Sequence, residues 1–226
     1  MGMIFDMDGV LINSNAAHFA SWLKVAGEDG VVFTEEIFWR TFGMTSEHIV
    51  EQYWRPGLDA REVAEIVERK ETAFRESILD CVQPIEGSVD FVRYLVGLGV
   101  KVALGSSAPR VNVDYVVDWL GAEELFGDRV VAGDEVSRGK PAPDVFLLAA
   151  DKLHEPPERC FVVDDSRSGV TAGKAAGMTT IGFFSEGHRA DEYERADAVV
   201  RNFTEFADLL NVGEGGVLSV RSNPSI

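Results

Sequence analysis

Short apolar runs separated by amphipathic stretches make up most of the chain beyond residue 80. Residues 3–6 (MIFD), 100–106 (VKVALGS), 129–133 (RVVAG), 160–165 (CFVVDD), 179–184 (TTIGFF) and 197–200 (DAVV) read as strands. They are near-continuous in apolar residues, as strands buried on both faces are. Between them, SVDFVRYLVGLG (88–99) sets Val89, Val92, Leu95 and Val96 at helical spacing before a glycine stop. PRVNVDYVVDWLG (109–121) opens on Pro109 and closes on Gly121, the expected order for a helix start and stop. PDVFLLAADKLH (143–154) and GVTAGKAAGM (169–178) continue the alternation. Strands alternating with helices predict an α/β fold, a Rossmann-like parallel sheet core with helices on both faces.

The stretch from about residue 16 to residue 80 carries no strand pattern. HFASWLKVAG, TEEIFWRTFG, SEHIVEQYW and DAREVAEIVERKETAFRESIL read as four helices with Gly or Pro breaks, and three of the four tryptophans, Trp22, Trp39 and Trp54, fall here. This predicts an inserted all-α helical cap domain over residues 15–81, with the core formed by 1–14 and 82–210. Hinges are expected at Gly87 and near Ala16, where the chain crosses between domains. The Gly- and Ser-rich tail, 211–226, is expected to pack loosely.

Composition narrows the function classes. At 46% hydrophobic and 26% charged residues the chain is of ordinary globular type. Lysine and arginine number 21 against 38 acids, a formal charge of −17. That balance argues against a nucleic-acid partner, whose phosphates need neutralising, and against an acidic membrane surface. Cys81 and Cys160 form no CxxC motif or disulfide framework, which points to a reducing interior. No apolar run approaches the length of a membrane span. The first strand starts at Met3 and meets two acids by Asp8, leaving no leader pattern, so a cytoplasmic location is expected. The expected assembly is a monomer or weak homodimer.

In an open parallel sheet, ligands bind beyond the carboxyl ends of the strands. The polar residues collect at such ends: Asp6 and Asp8, then Ser106 and Ser107, then Lys140 in GKPAPD, then Asp164 and Asp165. Close carboxylates repel and raise one another's pKa. A hard divalent cation relieves this, and Mg²⁺ prefers oxygen ligands and pairs with substrate phosphate. Mg²⁺ is therefore the expected cofactor and a small phosphorylated metabolite the expected partner. Asp6 can attack phosphorus to form an aspartyl-phosphate. Asp8 is near enough for general acid–base work. Lys140 and Ser106 can stabilise the equatorial oxygens. Each motif alone has an ordinary explanation: a turn for the DxD, a loop serine, a surface lysine, an N-cap for the acidic pair. Their joint occurrence, in this order around one sheet, favours catalysis.

On these residues the chain resembles the haloacid dehalogenase-like superfamily, in the helical-cap branch that includes β-phosphoglucomutase and phosphoglycolate phosphatase. DMDGVLINS is similar to the family's DxDGxLxDS, LGSSAPR to its second motif, RGKPAPD to its third and VVDDSRSGVTAGKAAGM to its fourth, so the resemblance spans residues 3–210. It implies that Asp6 is nucleophile and Mg²⁺ ligand, and that Asp8 is acid/base and lends its backbone carbonyl to the metal. Asp165 would be a direct ligand, with Asp164 acting nearby or through water. Ser106, Ser107 and Lys140 would bind phosphate. The second aspartate, Asp8, is absent from the dehalogenases and usually replaced in the phosphonate-hydrolysing branch, so phosphate-ester chemistry is implied. His18 occupies a position where β-phosphoglucomutase-like members also have histidine. Arg40, Arg69, Lys70 and Arg110 are candidate cations for a substrate's distal group, and Phe42, with Trp39 and Met44, a candidate apolar surface.

Two departures from the pattern stand out. The family's DS is here Asn13-Ser14. In the cap loop TFGMTSEH (41–48), Ser46 aligns where β-phosphoglucomutase carries a phosphate-gripping arginine, and Phe42 where a lysine is common. The expected activity is therefore a Mg²⁺-dependent phosphoric monoester hydrolase. A β-phosphoglucomutase-like phosphosugar mutase and a non-catalytic Mg²⁺- and phosphate-binding regulator are the alternatives.

Overall fold

The structure is a computed structural model and describes residues 1–185, 187–213 and 217–220. In chain order, β1 (Gly2–Phe5) and a two-residue β2 (Ile12–Asn13) lead into α1 (Asn15–Asp29), α2 (Glu35–Thr41), α3 (Ser46–Tyr53) and α4 (Ala60–Cys81). A two-residue β3 (Gln83–Pro84) is followed by α5 (Ser88–Gly97), β4 (Lys101–Gly105), α6 (Arg110–Trp119), α7 (Glu123–Phe126) and β5 (Val130–Val131). Then come α8 (Asp144–Leu153), β6 (Cys160–Asp164), α9 (Arg167–Ala175), β7 (Thr179–Phe183), β8 (Ala198–Val200) and α10 (Phe203–Leu209). β9 (Leu210–Gly213) and β10 (Val217–Val220) pair as an antiparallel hairpin, so part of the tail is paired, while residues 214–216 and 221–226 lie outside the described residues.

Six of these strands form one sheet in the order β5-β4-β1-β6-β7-β8, with parallel pairings throughout. Each corresponds to one of the apolar runs. β1 is central because its four residues are buried on both faces. Period-2 alternation splits it between two layers. Met3 and Phe5 pack with Phe91, Leu95, Val116 and Phe206 of α5, α6 and α10. Ile4 packs on the other side with Phe146, Ala149 and Ala172 of α8 and α9.

The cap has its own apolar cluster, built on Trp22, Phe33, Phe38, Ile49, Val50, Trp54 and Val67. Its longest helix, α4, starts at a capping box in which Asp59 and Glu62 satisfy each other's backbone N–H groups. The chain leaves and re-enters the core side by side through the β2–β3 ladder, which pairs Ile12 with Pro84 and Asn13 with Gln83. A pair of two-residue strands has no periodicity to read, and the sequence pattern misses it. Among the described residues no helix is long and apolar enough to cross a membrane.

Leu95 is fully buried between α5 and the sheet. Leu95→Ala is expected to cost about 2–5 kcal/mol through the cavity it leaves. The check is a lowered urea midpoint with unchanged m value; an unchanged midpoint refutes the assignment of this layer as core.

Candidate active site

The register of the central strands builds the site. Phe5 is paired with Leu104 on one side and Val163 on the other, so the next residue of each strand emerges at the same edge. Asp6 is held there by its own N–H, which donates to Val163 O at 2.9 Å. Oxygens of Asp6, Asp164 and Asp165 lie within 4.8 Å of one another, and all three residues are buried. Lys140 Nζ sits 2.9 Å from Asp6 Oδ1 and 2.8 Å from Asp164 Oδ2, over the ring of Phe146 at 4.8 Å.

Burial pushes the Asp6 carboxyl well above its usual range; Lys140 opposes this, while Asp164, Asp8 and Asp165 add to it. Asp165 is raised too, chiefly by burial, against the pull of His188 and Ser185. Burial alone would lower Lys140, but Asp164 and Asp6 outweigh it and hold the ammonium charged. Asp164 is further tied to Ser166, accepting from its N–H at 2.9 Å and its hydroxyl at 2.7 Å. Asp165 Oδ1 is buried and has no hydrogen-bond partner. An all-oxygen donor set, an excess of buried carboxylate and one orphaned oxygen suit a hard cation. The approach is close: a Cβ on Gly9, which has φ +73°, would lie 1.6 Å from Asp165 Oδ2.

Asp8 belongs to a second arm of the site. Its Oδ1 accepts from Ser14 Oγ at 2.5 Å and lies 3.0 Å from His18 Nε2. Burial would raise its pKa, but His18, Ser14 and Lys70 hold it below the usual carboxylate range. Lys70 Nζ lies 3.0 Å from His18 Nδ1 and 2.9 Å from Glu71 Oε1. His18 is also stacked on Phe74, centroids 3.9 Å apart. Asp6, Asp8, His18, Phe42, Lys70 and Ser107 line one cavity between core and cap.

The cap loop is closed onto the core. Ser107 Oγ donates to Gly43 O at 2.8 Å, and Ser168 Oγ to Phe42 O at 2.9 Å. A Cβ on Gly43, at φ +80°, would come within 2.3 Å of Ser166 Oγ. Ser106 is buried beyond β4, where its Oγ accepts from Ala108 N–H at 3.1 Å.

Some expected site residues lie elsewhere. Arg40 is exposed on α2 and pairs with Glu36 one turn back, because Phe38 and Thr41 take the buried face. Arg110 is turned to Asp114, Glu135 and Val130 O. Arg69 clamps Glu28 and Asp29. None of the three lines the cavity.

Other groups escaped sequence reasoning. Glu71 of the cap is buried and lines the cavity, and Asn112, buried on α6 of the core, donates from Nδ2 to Glu71 Oε2 at 2.6 Å. Glu71 sits in a charge-rich helix and reads as a solvated residue. His188 lies 3.2 Å from Asp165 Oδ2 and 2.8 Å from Glu192 Oε2, its ring edge-on to Trp39 and Phe42. Burial would lower its pKa, but Asp165 and Glu192 push it up to about 10. The His188–Glu192 spacing was the one available signal, and it is common.

A model of the haloacid dehalogenase-like hydrolase family matches residues 1–177. The chain is 31% identical over 180 residues to a fructose-1-phosphate phosphatase of Escherichia coli, covering 80% of this chain and 94% of that protein. It is 31% identical over 187 residues to a phosphorylated carbohydrates phosphatase of Thermotoga maritima, covering 79% and 82%. Among solved structures, a β-phosphoglucomutase of Clostridium difficile superposes with a TM-score of 0.80 at 21% identity, covering 90% of this chain and 92% of that one, a likeness of fold alone. With that family's pattern matched over most of its length, the chain belongs to the haloacid dehalogenase-like hydrolases.

Proposed function

We propose that this enzyme is a Mg²⁺-dependent phosphatase of a small, sugar-phosphate-like metabolite and works through an aspartyl-phosphate on Asp6. The observation that carries the reading is the pairing of two differently held aspartates. Asp6 is buried among carboxylates beside Lys140, and Asp8 reaches the same cavity in the grip of Ser14 and His18. The phosphatases named among its relatives support the reaction class.

Asp6 attacks the phosphorus, forming a carboxylate O–P bond as the ester P–O bond breaks. Asp8 passes to the departing oxygen a proton that the monoanionic phosphate ester brings in. Ionised, it then takes a proton from the water that hydrolyses the acyl-phosphate, returning Asp6 and releasing phosphate. Its lowered pKa keeps Asp8 ionised in the free site, so the proton for the first step arrives with the substrate. Lys140 offsets charge on Asp6 and on the transferred group. Ser106 and Ser107 stand at the phosphate end. Asp6, Asp164 and Asp165, with the Asp8 backbone carbonyl, would hold Mg²⁺. Bound there, the cation neutralises the carboxylates and the phosphoryl oxygens. The Asp8 side chain, committed to Ser14 and His18, stands outside that ligand set.

A mutase must also grip a second phosphate. Here Ser46, in the corresponding cap loop, donates to Glu71 at 2.6 Å and offers no positive charge, which favours hydrolysis.

A panel of phosphate esters, assayed for phosphate release, is expected to show turnover with Mg²⁺ and none after chelation. Asp6→Asn is expected to lower kcat by at least ~10³-fold, with thermal unfolding little changed. Wild-type turnover in that variant rejects the nucleophile. An isomerised sugar phosphate in place of free phosphate assigns the mutase, and no Mg²⁺-dependent release from any ester leaves the regulator.

Lys140→Met leaves Asp6 and Asp164 buried without their shared cation, and such breakage costs about 3–5 kcal/mol. Denaturant unfolding of the metal-free protein checks this; a loss under 1 kcal/mol contradicts the pairing.

A further inference from the structure

We infer that Glu71 sets the charge of the accepted substrate, admitting monophosphate esters whose remainder is uncharged and hydroxylated and turning away bisphosphates. The inference rests on the phosphatase reading for the identity of the transferred group.

Besides Asp6 and Asp8, the cavity is lined from the cap by Trp22, Phe38 and Ile49, together with Ser46, Lys70 and Glu71. Among the described residues lining the cavity, Lys70 is the one lysine or arginine. Its charge is already matched: Nζ lies 2.9 Å from Glu71 Oε1, and both side chains are 3% exposed. A second contact runs to His18 Nδ1 at 3.0 Å, and the rings of Trp22 and Phe74 flank the ammonium at 5.2 and 5.4 Å. An ammonium has three donors, so one remains.

Glu71 is fixed from three sides. Oε1 accepts from Lys70 and, at 2.6 Å, from Ser46 Oγ; Oε2 accepts from Asn112 Nδ2 at 2.6 Å. Asn112 is itself held by Arg75 Nη1 at 3.0 Å. Burial would protonate the carboxyl, but the charge of Lys70 and the bonds from Ser46 and Lys70 keep its pKa below the usual range.

A second phosphate against these cap residues would meet a buried carboxylate and a lysine whose charge that carboxylate already cancels. Like charges in a poorly solvated pocket repel strongly. A hydroxyl meets a different surface. It can accept the remaining Lys70 N–H and donate to Ser46 Oγ, whose own hydrogen is committed to Glu71. The carbon face of the same group can lie against Trp22 or Phe38.

The test compares fructose 1-phosphate with fructose 1,6-bisphosphate, in wild type and Glu71→Gln, by phosphate release with Mg²⁺ and by calorimetric binding. The wild type is expected to favour the monophosphate at least tenfold in kcat/KM and in affinity. Glu71→Gln is expected to shrink that ratio at least tenfold, mainly through a lower KM for the bisphosphate. Equal handling of the two esters by wild type overturns the inference and leaves the phosphatase reading standing. So does an unchanged ratio in a Glu71→Gln protein that melts like wild type. If Glu71→Gln does not fold, the wild-type ratio alone decides. Tenfold weaker bisphosphate binding without hydrolysis of either ester upholds the inference and sinks the phosphatase reading.

Discussion

Lys140 lies within 3 Å of both Asp6 and Asp164, with its side chain out of contact with water. The head of the central strand depends on this contact. Three carboxylates cannot share a dry edge while all are ionised unless positive charge is built in beside them. Lys140 meets part of that need for Asp6 and Asp164. His188 meets part of it for Asp165. Burial, aided by the carboxylate charge that remains, pushes Asp6 and Asp165 upward, and the same excess of negative charge suits the edge to a hard cation.

The second arm solves the opposite problem. Asp8 is less deeply buried and faces Ser14, His18 and, one step further, Lys70, so it stays ionised. Two aspartates separated by one residue thus receive opposite environments. The division arises because β1 ends at Phe5 and Gly9 turns the chain away, sending Asp6 to the sheet edge and Asp8 toward the cap. Cap closure reinforces it: Ser107 and Ser168 hold the carbonyls of Gly43 and Phe42, while Trp39 and Phe42 pack on His188. The loop that lines the cavity therefore touches the group that pairs with Asp165.

Much of this was legible in the chain. The six apolar runs became the six strands of one sheet because each is long enough, and apolar enough, to need burial on both faces. The cap helices were legible from their periodicity and breaks. Asp6, Asp164 and Lys140 could be gathered in advance, because parallel strands with helical crossovers deliver successive strand ends to one edge. Arg40 and Arg110 show the limit. Charge identifies a residue that could bind an anion, but the helix face on which it falls, and the acids nearby, decide whether it does.

The amino-acid sequence by itself determined the parallel sheet, the inserted helices, the carboxylate edge and the family, since these follow from short-range patterning and from motifs at strand ends. Only the tertiary structure decided which side chains line the cavity and which buttress the site around it. Glu71 is 25 residues from Ser46 and 41 from Asn112, and His188 lies more than 140 from Trp39 and Phe42. Such contacts leave no periodic trace, because each depends on how two separately folded layers meet rather than on the local run of residues around it.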